Sequence, residues 1–461
     1  MATSPAGTAV TGASASPLIL TNSKWLRMAT LLLFYFTQGF PIGFFFYAVP
    51  AWMAANGATT VETAAVVGAA STPWSLKFIN GFIIDRYTYL PMGRRRSWII
   101  GAQSLIVIAF LVAAVAAPQH TEVAFISAVA FSANIAVAFQ DVGIDSLAID
   151  IMPEDERAKA AGIMFGAQYL GIAAATGMGG YLFQNFGVIA GMLGGAAIPL
   201  AIMLYGVAIR ERDGEKRMPW SAGATHPRNK AIQVEAWWPL LRDAFKAILA
   251  PLSLILAPLM LLRAIPGGAF EAFHPQLFTQ TAGWAQTEYT SLISSSTLLS
   301  GVIGLVIGGW FIDKIGSRAG MVLSAIAITG LLAAMGAIPQ LWTESWVLIG
   351  LQLSVDFFSL LYMIAIIPVF MKLCSPAVAA TQFTVYMALG NMGRPLGAAL
   401  AGVTAGAGNP QWLYWGCAVG FLVILVLSAL APFPKGEAAE EAEHEVEDHV
   451  AQADGLTPKM D

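Results

Sequence analysis

Seven charged side chains stand inside long apolar runs: Lys77, Arg263 and Arg394 as cations, and Asp141, Asp145, Glu271 and Asp356 as acids, with His274 three residues beyond Glu271. A charge at the centre of a bilayer costs at least ~2.5–3.5 kcal/mol, so each needs a counter-ion, a wet cavity or a task. The chemistry within reach is proton uptake and release by the acids and His274, and the holding of an anionic cargo group by Lys77, Arg263 and Arg394. Asp141 and Asp145 are four residues apart and share one helix face, an arrangement that suits a group which must take and release a proton. Asp145 fits equally well as a partner of the arginines at 94–96. Lys77 fits either an anionic cargo group or the neutralisation of Asp141. Arg263 precedes Pro266-Gly267-Gly268, a break that frees backbone groups to line a cavity. On a regular helix His274 would lie ~20° and Glu271 ~80° around from Arg263. Asp356 is the natural counter-ion of Arg263 or Arg394, or a proton site. Gln38, Gln140, Gln168, Gln382, Tyr386 and Asn391 complete the set as uncharged hydrogen-bonding groups for cargo.

These residues need elements that carry them through hydrocarbon. Of the 461 residues, 57% are hydrophobic and 11% charged, against roughly 25% charged in a soluble domain. Uncharged runs such as Ser97–Pro118 and Val188–Ala208 reach the ~20 residues needed to cross a bilayer as helix. Apolar segments fall near 28–53, 62–85, 97–117, 122–149, 160–183 and 187–208. They resume near 248–279, 288–313, 319–338, 345–373, 378–402 and 411–432. The net charge of −4 comes from the tail after Pro434, where nine acids face only Lys435 and Lys459. Cys374 and Cys417 give neither a disulfide framework nor a metal spacing.

The connections near 54–61, 118–121, 184–186, 280–287, 339–344 and 403–410 contain no Lys or Arg, whereas the alternate connections hold Arg86, Arg94–Arg96, Arg157, Lys159, Lys314, Arg318 and Lys372. The positive-inside rule makes the basic side, and with it both termini, cytoplasmic. The expected organisation is a disordered extension over 1–24, a six-helix bundle over 25–209, a linker over 210–247, a second bundle over 248–433 and a disordered acidic tail over 434–461. Within the linker, Trp237, Trp238 and Pro239–Leu241 fit an amphipathic segment on the inner leaflet, and a plain linker fits as well.

The halves repeat. Gly81-Phe-Ile-Ile-Asp85-Arg86, followed by Gly93-Arg94-Arg95-Arg96, has its counterpart in Gly309-Trp-Phe-Ile-Asp313-Lys314-Ile-Gly316-Ser-Arg318. Glycine lets two helices approach closely, and Asp with Arg ties a helix end to its neighbour. The pattern resembles the signature loop of the major facilitator superfamily, with an insertion at 87–92 that leaves open which of Arg94–Arg96 fills the terminal basic role. Three stretches narrow the resemblance: Tyr35-Phe-Thr-Gln-Gly39-Phe-Pro41-Ile-Gly43, Pro73-Trp-Ser-Leu-Lys77-Phe, and Gln140-Asp141-Val-Gly-Ile-Asp145-Ser-Leu-Ala-Ile-Asp150. Together with Thr381-Gln382-Phe383 and Gly390-Asn-Met-Gly-Arg394 they look like the peptide/acetyl-coenzyme A/drug transporter branch, and within it the muropeptide permeases of AmpG type.

The resemblance implies an all-α membrane protein, twelve transmembrane helices in two pseudo-symmetric six-helix bundles, in a bacterial inner membrane. It implies a monomer that moves a small molecule, an anionic anhydro-muropeptide for cell-wall recycling, together with protons. Siderophores, acetyl-coenzyme A-like compounds and drugs remain as other cargoes, and a non-transporting membrane sensor or scaffold as a different class. Nothing in the sequence suggests an enzyme: it has no metal-ligand cluster, cofactor motif, nucleic-acid signature or phosphate-binding Gly-Lys-Ser/Thr loop.

Overall fold

The computed structural model describes residues 18–231, 238–239, 242, 246, 249–303, 309–373 and 379–432. Trp237, Leu241, Cys374 and the acidic tail lie outside the described residues, as do the side chains of Arg157, Lys159, Gly309, Asp313 and Gln382. The described chain is helical, and its single β-bridge joins Ile19 to Arg210. In chain order the long helices are α1 Lys24–Ala55, α2 Thr60–Ser75, α3 Lys77–Arg86, α4 Arg96–Ala116, α5 Val123–Ile151, α6 Glu154–Ala208, α7 Pro251–Arg263, α8 Ile265–Gln276, α9 Gln286–Ile303, α10 Gly309–Ile315, α11 Ser317–Ala337, α12 Ser345–Lys372, α13 Ala379–Gly406 and α14 Gln411–Leu430.

Eight helical stretches are long and apolar enough to cross a membrane: Lys24–Ala55, Arg96–Ala116, Val123–Ile151, Gly162–Ala208, Pro251–Thr281, Ser317–Ala337, Ser345–Lys372 and Gln411–Leu430. Gly162–Ala208 has 47 residues, about 70 Å of helix, twice a hydrocarbon core. It turns at Gly187, where φ is +79° and ψ −176°, a conformation open to glycine. The α2–α3 and α13 stretches fall below that threshold, and α9 ends where the described residues end. They carry Lys77, Thr290, Ser294, Ser296, Asn391 and Arg394, and they pack largely against protein, where polarity is tolerated.

The apolar core has three parts, two in the first half and one in the second that also takes in Ala51, Ala64 and Val67 of α1 and α2. Phe44, Phe45, Phe110 and Phe183 fill one part, Leu31, Phe34, Ile144 and Leu147 a second, and Tyr289, Leu348, Tyr362, Tyr414 and Phe421 the other bundle. Glycine sets the closest approaches. At Gly171 of α6 a Cβ would lie 2.0 Å from the Phe36 carbonyl oxygen of α1. At Gly397 of α13 it would lie 1.9 Å from that of Ile265, and at Gly268 of α8 1.9 Å from that of Arg394. Such backbone contacts are how helices associate where lipid removes the hydrophobic drive between them.

The basic connections of the first half come together at one end. Arg27 forms a fork with Glu156 (2.9 Å). Arg95 pairs with Asp85 and, at 2.9 Å, with Asp150, and Arg94 lies 3.7 Å from Asp85 and 3.6 Å from Asp150. Arg86 is exposed. The tie expected of Asp85 is therefore made by Arg95, which the chain's turn at Gly93 (φ +103°) brings back over the helix end.

Residues 18–23 and 210–231 depart from expectation. The N-terminal segment pairs with the chain leaving α6: the Leu20 N–H donates to the Arg210 carbonyl (2.9 Å) and the Arg210 N–H to that of Leu18 (2.9 Å). The carboxylate of Glu211 accepts the N–H groups of Arg94, Arg95 and Arg96 at 2.6–2.8 Å, so an internal anion sits at the N-terminus of α4. Arg96 donates to the Ile209 carbonyl (2.8 Å) and to those of Lys216 and Arg217. Arg212 reaches Asn229 (2.7 Å), whose amide donates to Glu215 (2.7 Å). The linker thus begins as a folded lobe on the first bundle, because its backbone carbonyls and buried acids satisfy the arginine cluster.

Candidate functional site

Lys77, the first residue of α3 after the break at Leu76, donates to Asp141 of α5 at 2.9 Å. One turn along α5, Asp145 accepts the hydroxyl of Tyr35 from α1. Asp145 is not paired with the arginines at 94–96; Asp150, on the next turn, takes that role. Gln140 donates to the Phe34 carbonyl (3.1 Å), and Gln168 donates to Gln38 (2.8 Å). The first bundle therefore joins α1, α3, α5 and α6 through one polar cluster.

In the second bundle the pairing differs from expectation. Arg394 of α13 pairs with Glu271 of α8 at 2.8 Å and stands over the Phe46 ring (5.1 Å). Asp356 is not its counter-ion: it accepts the Ser296 hydroxyl and the Gln352 amide (2.9 Å). The reason is rotational. Asp356 faces α9, whereas the close α8–α13 contact at Gly268 and Gly397 aims Glu271 at Arg394. Arg263 ends α7; its Nε is buried with no hydrogen-bond partner, and among the described residues no acid pairs with it. Its guanidinium lies against Gly390, where a Cβ would be 3.1 Å from Nη2, and interacts electrostatically with Tyr362, Arg394 and Tyr169 of the other bundle.

His274 is enclosed by aromatics. Phe270 stacks on it at 4.1 Å, and its ring nitrogens meet Gln352 (3.3 Å) and Tyr414 (3.1 Å). Tyr386 is fully buried, with its hydroxyl on Ser253 (2.7 Å). Asn391 donates to the Trp74 carbonyl across the halves (3.2 Å). Sequence reasoning missed Tyr35, Tyr47, Ser296, Gln352 and Tyr414. Of these, Gln352 had a visible signal, since it stands four residues from Asp356 and so shares its face.

The halves are sealed at one end. Thr63 donates to the Ala272 carbonyl (2.6 Å), Gln280 to those of Ala54 (2.8 Å) and Ala58 (2.9 Å), and Ser294 to that of Ala173 (2.8 Å). Gln276 accepts from Thr60 N (3.0 Å), and Tyr47 donates to Glu271 (3.2 Å). Together with Asn391 on Trp74, these bonds run from the connections without Lys or Arg as far inward as the charged residues. Among the described residues no hydrogen bond joins the halves nearer the basic end.

At the basic end, outside the crossings, two acids are shifted. The hydrogen bond from Arg27 holds the Glu156 carboxyl below its ordinary range. Burial, with Glu211 nearby, pushes Glu215 up to about 7. No group of three or more His, Cys, Asp or Glu side chains that could hold a metal occurs among the described residues.

Two family models match the chain, Acetyl-coenzyme A transporter 1 over residues 27–172 and Major Facilitator Superfamily over 256–456. The anhydromuropeptide permease of Escherichia coli K12 is 26% identical over 376 residues, covering 80% of this chain and 72% of that one. An uncharacterized protein of Haemophilus influenzae is 22% identical, covering 83% and 89%. Among solved structures, a POT family transporter in complex with 5-aminolevulinic acid matches with a TM-score of 0.68 at 12% identity, covering 90% of this chain and 98% of that one. A peptide transporter POT in complex with alafosfalin matches at 0.64 and 14%, covering 89% and 96%. The fold, with its two related bundles meeting along α2, α8, α9 and α13, is that of the major facilitator superfamily of membrane transporters, whose family model matches the second half of the chain.

Proposed function

We propose that the chain imports an anhydro-muropeptide across the inner membrane, driven by protons, by alternating access around the charged residues between its halves. In this reading the chain crosses twelve times, with the α6 stretch counted as two passes and α2–α3, α9 with α10, and α13 as one each. The basic end is cytoplasmic, so the sealed end is periplasmic and the structure is poised toward the cytoplasm. The observation that carries the reading is Arg263. Lys77 and Arg394 already have carboxylates, whereas Arg263, half-buried at the seam with its Nε enclosed, has none among the described residues, and a guanidinium so placed calls for an anion. A muropeptide supplies carboxylates, and the Escherichia coli relative directs the choice of cargo. In this reading Lys77, Arg394, Gln38, Gln140, Gln168 and Asn391 line the path, and Asp141, Asp145, Glu271 and Asp356 are the groups available to carry protons.

The match of residues 27–172 to an acetyl-coenzyme A transporter model favours a second reading, in which the anion is a coenzyme A thioester. Proteoliposomes with an imposed pH gradient separate the two. Uptake of radiolabelled anhydro-muropeptide should rise with the gradient, collapse with a protonophore and resist excess acetyl-coenzyme A. Uptake of acetyl-coenzyme A alone would replace this cargo with the other. Undiminished coupled uptake by both Asp141→Asn and Asp356→Asn would remove those two acids from the proton path.

A further inference from the structure

Asp356 sits at the end of a hydrogen-bonded chain that crosses four helices. The Tyr414 hydroxyl of α14 meets His274 Nε2 of α8 (3.1 Å), and His274 Nδ1 meets Gln352 Oε1 of α12 (3.3 Å). Gln352 Nε2 donates to Asp356 Oδ2 (2.9 Å), which also takes the Ser296 hydroxyl of α9. The direction of each bond follows from what each atom can do. An amide oxygen only accepts, so His274 Nδ1 carries the hydrogen. The neutral ring then leaves Nε2 as the acceptor for the Tyr414 hydroxyl. Gln352, with its oxygen so held, must turn its N–H toward Asp356; flipped, it would set an oxygen against the carboxylate.

The surroundings of the ring admit no other role for it. His274 is 1% exposed, Phe270 stacks on its face, and Phe273, Phe278 and Tyr414 lie within 6.4 Å. The Gln352 amide separates it from the Asp356 carboxylate, and amides do not pass protons as hydroxyls or waters do. The ionisable groups acting electrostatically around Asp356 are Glu271 of α8, Tyr289 of α9 and Tyr47 of α1, with Tyr169 of α6. Among the described residues none of these hydrogen-bonds to Gln352, whose partners are His274 and Asp356. The orientation of the amide therefore depends on His274.

We infer that His274 is a positioning residue: in its Nδ1–H tautomer, with Nε2 held on the Tyr414 hydroxyl, it locks the Gln352 amide so that Asp356 keeps the hydrogen-bond donor it needs to accept and release a proton in step with cargo movement. The inference rests on the proton-coupled reading of the site and assigns His274 to the orientation of the acid, with no proton of its own to carry.

The test separates coupling from cargo movement in reconstituted full-length protein. Radiolabelled anhydro-muropeptide is followed as gradient-driven uptake and as counterflow without a gradient, for wild type, His274→Phe and His274→Gln. Gradient-driven uptake by His274→Phe should fall about tenfold, the equivalent of one hydrogen bond to a charged group, while its counterflow stays within about twofold. His274→Gln, whose amide N–H can replace Nδ1–H toward Gln352, should recover most of the loss. Nitrogen-15 spectra of histidine-labelled wild type should show one neutral Nδ1–H ring that disappears in His274→Gln. Equal loss of uptake and counterflow, no loss at all, or the opposite tautomer would each overturn the inference. A wild type indifferent to the gradient would instead defeat the coupled reading, and the tautomer would then decide the geometry alone.

Discussion

Tyr47 of α1 donates its hydroxyl at 3.2 Å to Glu271 of α8, so the carboxylate that neutralises Arg394 inside one bundle also holds the other bundle. The charged site and the seal are therefore one structure. Anything that draws Glu271 away from Tyr47, whether a proton or a cargo anion competing for Arg394, removes a bond that keeps the halves together at that end. This gives a physical link between what occupies the site and which side is open.

Tyr47→Phe should loosen the seal and leave the bundles intact. One hydrogen bond to a charged group is worth about 1.5–3 kcal/mol, so the ratio of unsealed to sealed molecules should rise by about tenfold or more. Ala58 is buried at the seal, its carbonyl held by Gln280. With Cys374 and Cys417 replaced by Ala, a cysteine introduced by Ala58→Cys should react with a membrane-impermeant maleimide several times faster when Tyr47→Phe is added. An unchanged rate would separate Tyr47 from gating.

Arg263→Gln should weaken cargo binding more than it disturbs the fold. Removing a charged donor from an anion costs about 1.5–3 kcal/mol, which puts KM for anhydro-muropeptide up by about tenfold to a hundredfold. The melting temperature should hold or rise, since the variant also removes a half-buried charge that lacks a counter-ion. Arg394→Gln behaves differently, because it strands Glu271, and should lower the melting temperature. If Arg263→Gln left KM unaltered, the anion site would have to be sought elsewhere.

Adjacent glycines should behave oppositely. A Cβ at Gly268 would stand 1.9 Å from the Arg394 carbonyl oxygen, while at Gly267 it would meet nothing within 4 Å. Gly268→Ala must push α8 from α13 and should cost about 1–3 kcal/mol, as overpacking does. Gly267→Ala should be neutral or stabilise by up to about 1 kcal/mol through helix propensity. Thermal unfolding in detergent distinguishes them, and equal shifts would mean that the helix contact is not tight.

Apolar run length and the alternation of basic and uncharged connections made the architecture legible, since both follow from lipid acting on each segment separately. What could not be read was rotation. Asp356 and Glu271 are both acids of the second bundle, and the close α8–α13 contacts at glycines 268 and 397 bring Glu271 to Arg394. The role of Arg96 was hidden likewise. In the structure it donates to the Ile209 carbonyl at the end of α6, as Arg318 does to those of Ala429 and Ala431 at the end of α14. Three consecutive arginines gave no means of telling that from spacing. The lobe at 210–231 was missed because backbone carbonyls and two buried acids hold it in place, and no hydrophobic period marks it. Local polarity there resembled a linker.

That lobe should be sensitive to pH. Glu215 is buried, beside Glu211, and accepts the Arg212 N–H (3.0 Å) and the Asn229 amide (2.7 Å). Its carboxyl is raised from 4.5 to about 7 when docked. An acid whose pKa is raised by folding contributes most below its unfolded value, and that contribution is lost as pH climbs toward the folded one. Docking should therefore be firmest near pH 4.5, weaken progressively to about pH 7 and level off above it. The weakening should be about 1–2 kcal/mol, after allowing for partial solvent screening. Hydrogen exchange of amides 211–229 gives the measurement: protection, corrected for the intrinsic rate, should fall between pH 5 and pH 7.5. Glu215→Gln should flatten the profile. A profile equally steep in that variant would assign the pH response to another group.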